Sequence, residues 1–135
     1  MFCRYGNIPI YPTYSMSEQM PISQPPAGKL DTLTDKPGSV GIPVAASTAI
    51  VSRANLRPQP PGVEGEIAIS GSTVMKHYLE NPEADMKSFF HLTLAEDYQR
   101  TLPYFLTGDV GKCSVGKLNH DIIFTFPCAL LRCNR

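Results

Sequence analysis

Proline is the feature that most constrains what this chain can fold into. Thirteen of the 135 residues are proline and ten are glycine, and they cluster, with three prolines and two glycines between Arg57 and Gly65. Proline fixes its own φ and offers no N–H, so neither a long helix nor a central strand passes through such a cluster. The combined share of the two residues stays below the roughly 25–30% at which composition argues for disorder. The sequence therefore predicts a folded chain of short elements joined by wide turns.

The charge balance limits the kinds of partner that the chain can have. Twelve basic and twelve acidic residues cancel, so no net field draws the chain to nucleic acid or to an anionic membrane surface. The longest mostly apolar run, Ile122 to Leu131, has ten positions, whereas a membrane-spanning helix needs about 20. No nucleic-acid partner and no membrane span are expected. The first residues lack the apolar segment of a secretory signal, so the expected location is intracellular, either cytoplasmic or organellar.

Short apolar and β-branched segments bounded by proline and glycine are predicted to be strands. They are Ile8 to Tyr11, Ile42 to Val44, Ala49 to Val51, Glu66 to Ser70, where two isoleucines alternate with other residues, and Leu102 to Thr107, which ends at Gly108. Residues 21 to 38 show little periodicity and are predicted to be connecting backbone.

One helix is predicted, from about Pro82 to Phe90. Asn81 is a favoured N-cap, and Pro82 suits the first helical position, where its missing N–H costs nothing. Glu83 and Asp85 place negative charge in the first turn, and an apolar stripe follows at helical spacing: Met86, Phe89 and Phe90. The expected fold class is a β-rich α+β chain of antiparallel strands with long Pro/Gly loops and one clear short helix.

Two polar clusters are candidates for a binding site. Tyr14 to Glu18 follows directly on the first predicted strand, and a hydroxyl beside a carboxylate suits phosphate together with Mg²⁺. Leu106 to Asp109 follows another apolar strand, and its carboxylate can accept both hydrogen bonds of a vicinal diol such as ribose. Ordinary N-caps or turns explain each cluster about as well.

Taken in order, several segments resemble the adenylate-forming (AMP-binding) superfamily, which comprises acyl-CoA synthetases, nonribosomal peptide adenylation domains and luciferases. Tyr14-Ser-Met-Ser-Glu18 resembles the Y-G-M-T-E segment of that family, with serine in place of both the glycine and the threonine. The stretch from Gly65 to Ala84 resembles the family's G-E-L-x-I-x-G…G-Y-L-x-x-P-E-A block, with His77 where glycine is common.

Tyr104 to Gly111 resembles the block aromatic-x-T-G-D-hydrophobic-Gly of the same family. The whole resemblance covers Ile8 to Lys112. The stretch Met20-Pro-Ile-Ser-Gln-Pro-Pro26 favours acyl-CoA synthetases among its branches. The resemblance therefore implies the fold of the last part of the family's large N-terminal domain.

The resemblance also implies a role for each residue of the two polar clusters. Tyr14 would lie against the adenine ring, Ser17 would contact the phosphates of ATP or the acyl-adenylate, and Asp109 would hold the ribose hydroxyls. Glu18 would ligate Mg²⁺, and Met16 would border the acyl pocket. The implied reaction joins a small-molecule carboxylate to ATP, giving acyl-AMP and pyrophosphate, and then transfers the acyl group to a thiol. ATP or AMP, Mg²⁺ and coenzyme A are the expected ligands.

Both ends depart from the family pattern. Nothing in residues 1 to 13 resembles the family's phosphate-binding loop, and the residues after Lys112 do not continue the family sequence. Residues 1–112 are therefore expected to be a partial AMP-binding domain and residues 113–135 a non-matching tail, disordered or artefactual. The expected function is that of a ligase fragment, inactive as an isolated chain. The alternatives are a catalytically dead nucleotide-binding or regulatory module, a fragment of a nonribosomal-peptide-type adenylation domain, and an interaction piece that uses its proline-rich turns.

Overall fold

The computed structural model describes residues 4–5, 8–9, 11, 13–26, 39–44, 47–93, 101–115 and 122–124. Within these ranges the chain forms antiparallel strands in three sheets and one short helix, which confirms the predicted fold class. The elements, in chain order, are β1 (Arg4–Tyr5), β2 (Ile8–Pro9), β3 (Tyr14–Met16), β4 (Gln19–Gln24), β5 (Ile42–Pro43), β6 (Ser47–Val51), β7 (Glu64–Ser70), α1 (Pro82–Ser88), β8 (Phe89–Thr93), β9 (Thr101–Val115) and β10 (Ile122–Phe124).

The largest sheet has the strand order β10-β9-β7-β6, and β8 also pairs with β9. The proline cluster joins β6 to β7 as a wide turn, which the Ser52 N–H and the Gln59 N–H close by donating to Arg57 O and Ile50 O at 2.8 Å each. Prolines fit here because a turn needs fewer backbone donors than a sheet interior does.

The second sheet has the order β3-β4-β5, and the small third sheet pairs β1 with β2. The prediction of connecting backbone from residue 21 onward is wrong for residues 21–24, which belong to β4; residues 27–38 lie outside the described ranges. Pro21 is tolerated because β5 pairs only with Ser23 and Gln24, so the missing N–H falls where β4 has one neighbouring strand.

The core lies on both faces of β7. Ile67 and Ile69 join a buried cluster that also contains Ile22 from the second sheet, whereas Ala68 joins a separate cluster that contains Tyr104. The isoleucines of β7 alternate with other residues as predicted, but side chains on both faces of the strand are buried. Burial on both faces explains why β7 is a central strand that pairs with β6 and β9.

The predicted helix ends earlier than expected, and its predicted apolar stripe is wrong. The N-cap is confirmed, because Asn81 Oδ1 accepts from Ala84 N at 3.1 Å. The helix stops at Ser88, and the next residues pair with β9 as β8. Met86 is 76% exposed, whereas the Phe89 ring packs on Phe105 with centroids 5.2 Å apart. Pairing with the following strand overrides the local helical pattern.

The strand that begins near Leu102 does not end at Gly108, as predicted, but continues to Val115. Cys113 to Val115 pair with β10, whose partner residues run from Ile122 to Phe124. The other residues after 115 lie outside the described ranges. The proposed boundary of the family-like region at residue 112 therefore stays a prediction.

Candidate functional site

A bulge in β9 places the second polar cluster. The pairs Glu66–Val110 and Ala68–Leu106 flank it, so one residue of β7 faces three residues of β9, which are Thr107, Gly108 and Asp109. Gly108 has φ +79°, in the region that favours glycine, and a Cβ at this position would meet nothing within 4 Å. Backbone conformation rather than space therefore requires glycine here, and the bulge turns Asp109 away from the regular ladder.

Short polar contacts brace the bulge from within. Thr107 Oγ1 donates to Ile67 O at 2.9 Å and accepts from Asp109 N at 3.2 Å. One threonine hydroxyl thus bridges the two strands at the point where their register shifts. This use of Thr107 explains why the residue belongs to the motif although it is not one of the predicted ligands.

Tyr14 and Asp109 come together at this bulge. The Tyr14 hydroxyl donates to Asp109 Oδ2 at 2.7 Å across 95 positions of sequence. Burial raises the pKa of Tyr14 well above its usual value; a hydrogen bond with Thr107 opposes this shift, and the hydrogen bond and negative charge of Asp109 add to it. Tyr14 therefore remains a protonated donor at neutral pH, and the carboxylate of Asp109 keeps further lone pairs for other donors.

Glu18 lies in the turn between β3 and β4, beside Tyr78. The Tyr78 hydroxyl donates to Glu18 Oε1 at 2.8 Å, and this bond is the main reason why the pKa of Tyr78 is raised. Glu18 O also accepts from Met75 N at 3.0 Å. Tyr78 itself is fixed from the helix side, since its N–H donates to Asp85 Oδ1 at 2.8 Å.

The structure corrects the setting of the first polar cluster. The cluster was expected to follow a strand at Ile8 to Tyr11, but the described strand there is only Ile8–Pro9, and Tyr14–Met16 is itself β3. Ser17 and Glu18 form the turn after β3, with Ser17 exposed. Met16 is half-buried and packs against the core cluster around Ile22.

Three residues that sequence reasoning did not single out also belong to the site. Tyr78 forms a hydrogen bond with Glu18, and the side chains of Glu66 and Arg53 each form a hydrogen bond with the backbone of Gly108. Tyr78 and Glu66 stand inside the G-E-…-Y-L block, so the motif contains a signal for them. Arg53 stands in the turn between β6 and β7, where nothing in the sequence distinguishes it from neighbouring arginines.

Glu18 is the residue that could hold a metal ion. The described part of the chain has no group of three or more His, Cys, Asp or Glu side chains arranged to bind a metal by themselves. A single carboxylate nevertheless fits Mg²⁺, which keeps several waters and takes its other ligands from substrate phosphates. Ser17, the neighbouring residue in this turn, is exposed.

Comparisons with known proteins agree on one family. The profile described as AMP-binding enzyme matches residues 1–79. An oxalate–CoA ligase from Saccharomyces cerevisiae is 36% identical over 108 residues, which cover 78% of this chain and 17% of the ligase. A 2-succinylbenzoate–CoA ligase from Bacillus licheniformis is 33% identical over 109 residues, covering 81% of this chain and 20% of the ligase. Fungal nonribosomal peptide synthetases match as well, among them pboA from Aspergillus ustus, at 33% identity over 79 residues.

The fold agrees with these relatives. The crystal structure of apo MatB from Rhodopseudomonas palustris superposes with a TM-score of 0.65 at 22% identity, covering 91% of this chain and 21% of MatB. The architecture is thus that of one part of an adenylate-forming enzyme. This chain belongs to the AMP-binding enzyme family. It spans about a fifth of the length of the CoA ligases that it matches. The helix in the described residues is neither long nor apolar enough to cross a membrane.

Proposed function

We propose that this chain forms the adenosine-binding part of an ATP-dependent acid–thiol ligase. The observation that carries the proposal is the 2.7 Å hydrogen bond between Tyr14 and Asp109, which brings an aromatic ring and a carboxylate to one place. A ring offers a stacking surface for a base, and a carboxylate accepts both hydrogen bonds of a ribose diol. Membership of the AMP-binding enzyme family supports the choice of nucleotide.

In this proposal the remaining residues act on the phosphates and the acid. Ser17 donates to the phosphates of ATP or of the acyl-adenylate, and Glu18 holds Mg²⁺ with Tyr78 fixing its carboxylate. Met16 borders the acyl pocket. Mg²⁺, when bound, neutralises phosphate charge, while the residues of the chain orient the nucleotide.

The proposed reaction has two steps. A carboxylate oxygen of the acid attacks the α-phosphorus of ATP, and the bond between that phosphorus and the bridging oxygen breaks to release pyrophosphate. The thiol of coenzyme A then attacks the acyl carbon, and AMP leaves. Positioning and charge neutralisation are the contributions that a protein makes to such steps, and this chain would supply the part directed at the adenosine and at Mg²⁺.

A second candidate is a fragment of a nonribosomal peptide adenylation domain, which shares the first step. It is favoured by the fungal synthetases among the relatives. A nucleotide-binding module without chemistry is a further alternative, since the Tyr14–Asp109 pair lies wholly within this chain.

Calorimetric titration of the full 135-residue chain with AMP tests the adenosine site. We expect weak but saturable binding, and we expect the affinity to fall by about a further tenfold or more in Asp109→Ala, because a hydrogen bond to a charged group contributes about 1.5–3 kcal/mol. Glu83→Ala is the matched control, since it removes an exposed carboxylate in the first turn of α1 and should leave the affinity unchanged. Equal affinity in the wild-type chain and Asp109→Ala contradicts the proposal.

A further inference from the structure

The N–H and the carbonyl oxygen of Gly108 both form hydrogen bonds with side chains. The Gly108 N–H donates to Glu66 Oε1 at 3.0 Å, and Gly108 O accepts from Arg53 Nη2 at 3.2 Å. The two side chains also face each other, with Arg53 Nε 3.7 Å from Glu66 Oε2. A paired cation and anion thus bind the two sides of one glycine, and that glycine lies at the centre of the bulge.

The bulge needs such a restraint. Glycine at positive φ has the widest conformational freedom of any residue, and the β7–β9 register gives Gly108 no backbone partner on β7. Without side-chain partners, the peptide unit between Gly108 and Asp109 could rotate and carry the carboxylate with it. The 2.7 Å bond to Tyr14 requires that this peptide be held in one orientation.

The peptide that joins Gly108 to Asp109 is held at both of its polar atoms. Its carbonyl oxygen accepts from Arg53, and its N–H donates to Thr107 Oγ1. Glu66 holds the preceding peptide through the Gly108 N–H, and its side chain is only 15% exposed. Gly108 itself is exposed, so the strength of this hydrogen bond comes from the charge of the carboxylate, not from exclusion of water.

We propose that Glu66 and Arg53 are positioning residues, which clamp Gly108 and thereby aim the Asp109 carboxylate at Tyr14 and at the ribose of the nucleotide. The part of this inference that concerns ribose rests on the proposed function. The part that concerns the orientation of the Asp109 carboxylate does not rest on it, because the hydrogen bond from Tyr14 to Asp109 can be measured without a ligand. Neither residue touches the nucleotide in this scheme.

Matched substitutions on the full chain separate the clamp from general stability. Glu66→Ala removes both bonds of the carboxylate, and Glu66→Gln keeps an acceptor for the Gly108 N–H while losing the charge. Arg53→Met removes the donor to Gly108 O at a side chain that is 59% exposed, so it tests the clamp even if Glu66→Ala does not fold. The controls are Glu64→Ala, on the same strand and exposed, and Arg57→Met, an exposed arginine of the same turn.

Three readouts are measured on each variant. They are the hydrogen exchange rate of the Gly108 amide, the NMR signal of the Tyr14 ring carbon that bears the hydroxyl, and the AMP affinity by calorimetry. Exchange at Ile67 and Ile69, in the core of β7, reports global stability. An effect confined to Gly108, Tyr14 and AMP is therefore distinct from partial unfolding.

In Glu66→Ala we expect Gly108 exchange to rise and AMP affinity to fall, each by about tenfold, with a shifted Tyr14 signal. Glu66→Gln should recover most of the Gly108 protection, and the two controls should match the wild-type chain. The proposal is overturned if Arg53→Met, together with Glu66→Ala where that variant folds, leaves the Gly108 exchange and the Tyr14 signal at their control values. If the wild-type chain does not bind AMP, the proposed function fails. The Gly108 exchange rate and the Tyr14 NMR signal still test whether Glu66 and Arg53 hold the bulge.

Discussion

Tyr14 and Asp109 are separated by 95 positions in the sequence, and yet a side-chain hydrogen bond of 2.7 Å joins them. Sequence resemblance assigns each residue separately to the nucleotide, and the contact between them gives this assignment a spatial basis. The residues that hold Tyr14 and Asp109 in place differ in how readily the sequence identifies them. Thr107 lies two positions before Asp109, from whose N–H it accepts a hydrogen bond, whereas Arg53 contacts Gly108 from 55 positions away.

The raised pKa of Tyr14 predicts how stability depends on pH. The folded state keeps this hydroxyl protonated above the pH at which an unfolded tyrosine ionises, about 10. The free energy of unfolding should therefore be highest below about pH 10 and fall as the pH rises beyond it. Burial also raises the pKa of Tyr104, so Tyr14→Phe should reduce the slope rather than remove it.

Urea unfolding at about pH 8 and about pH 11 measures this slope. Tyr11→Phe is the control, because it removes a tyrosine that is 43% exposed and should keep the wild-type slope. An unchanged slope in Tyr14→Phe would show that the hydroxyl is not held protonated by the fold.

At the scale of elements, the boundaries follow from pairing rather than from local pattern. Phe89 and Phe90 continue a helical spacing from Met86, but both residues pair with β9 and belong to β8. β9 likewise passes through Thr107 and Gly108, where a strand was expected to stop, because a bulge absorbs the irregular residues. In both cases hydrogen bonds to another strand decide the structure: β8 pairs with the next strand along the chain, and β9 pairs with β7 about 40 positions away.

The second sheet depends on a glycine next to β5. Gly41 has φ +97°, and a Cβ there would lie 2.2 Å from the backbone of Gln24 on β4. Gly41→Ala should therefore strain the backbone and also place the new Cβ in a steric clash with the backbone of β4. We expect the free energy of unfolding to fall by more than about 2 kcal/mol.

Gly62→Ala is the matched control for this substitution. Gly62 has φ +87°, but a Cβ at this position would meet nothing within 4 Å, so only the strain of about 1–2 kcal/mol remains. Equilibrium denaturation of both variants measures the difference between them. Equal losses would mean that the approach of Gly41 to β4 does not contribute.

At the scale of the whole molecule, the 135 residues are expected to be marginally stable on their own and not to catalyse adenylation. In the described part of the chain ten hydrophobic residues are buried, whereas Leu79 and Met86 remain 87% and 76% exposed. Exposed apolar side chains and open strand edges lower the stability of an isolated piece, and the chain spans about a fifth of the length of the oxalate–CoA and 2-succinylbenzoate–CoA ligases.

Acyl-dependent ATP–pyrophosphate exchange, assayed on the purified chain beside a full-length CoA ligase, checks this expectation. We expect no exchange above background, together with an unfolding midpoint at low urea concentration. Measurable exchange by the chain alone would contradict it, and it would mean that these residues suffice for the first chemical step.

The sequence by itself determined the family, the strands β5, β6 and β7, the wide proline turn and the Asn81 cap. These features are local, since a proline fixes its own φ, a cap bonds three residues ahead, and a motif is recognised in consecutive residues. Only the tertiary structure decided where α1 ends, that β9 continues through its bulge, and that Tyr14 meets Asp109. These depend on contacts between residues far apart in the chain, whose free energies no local pattern contains.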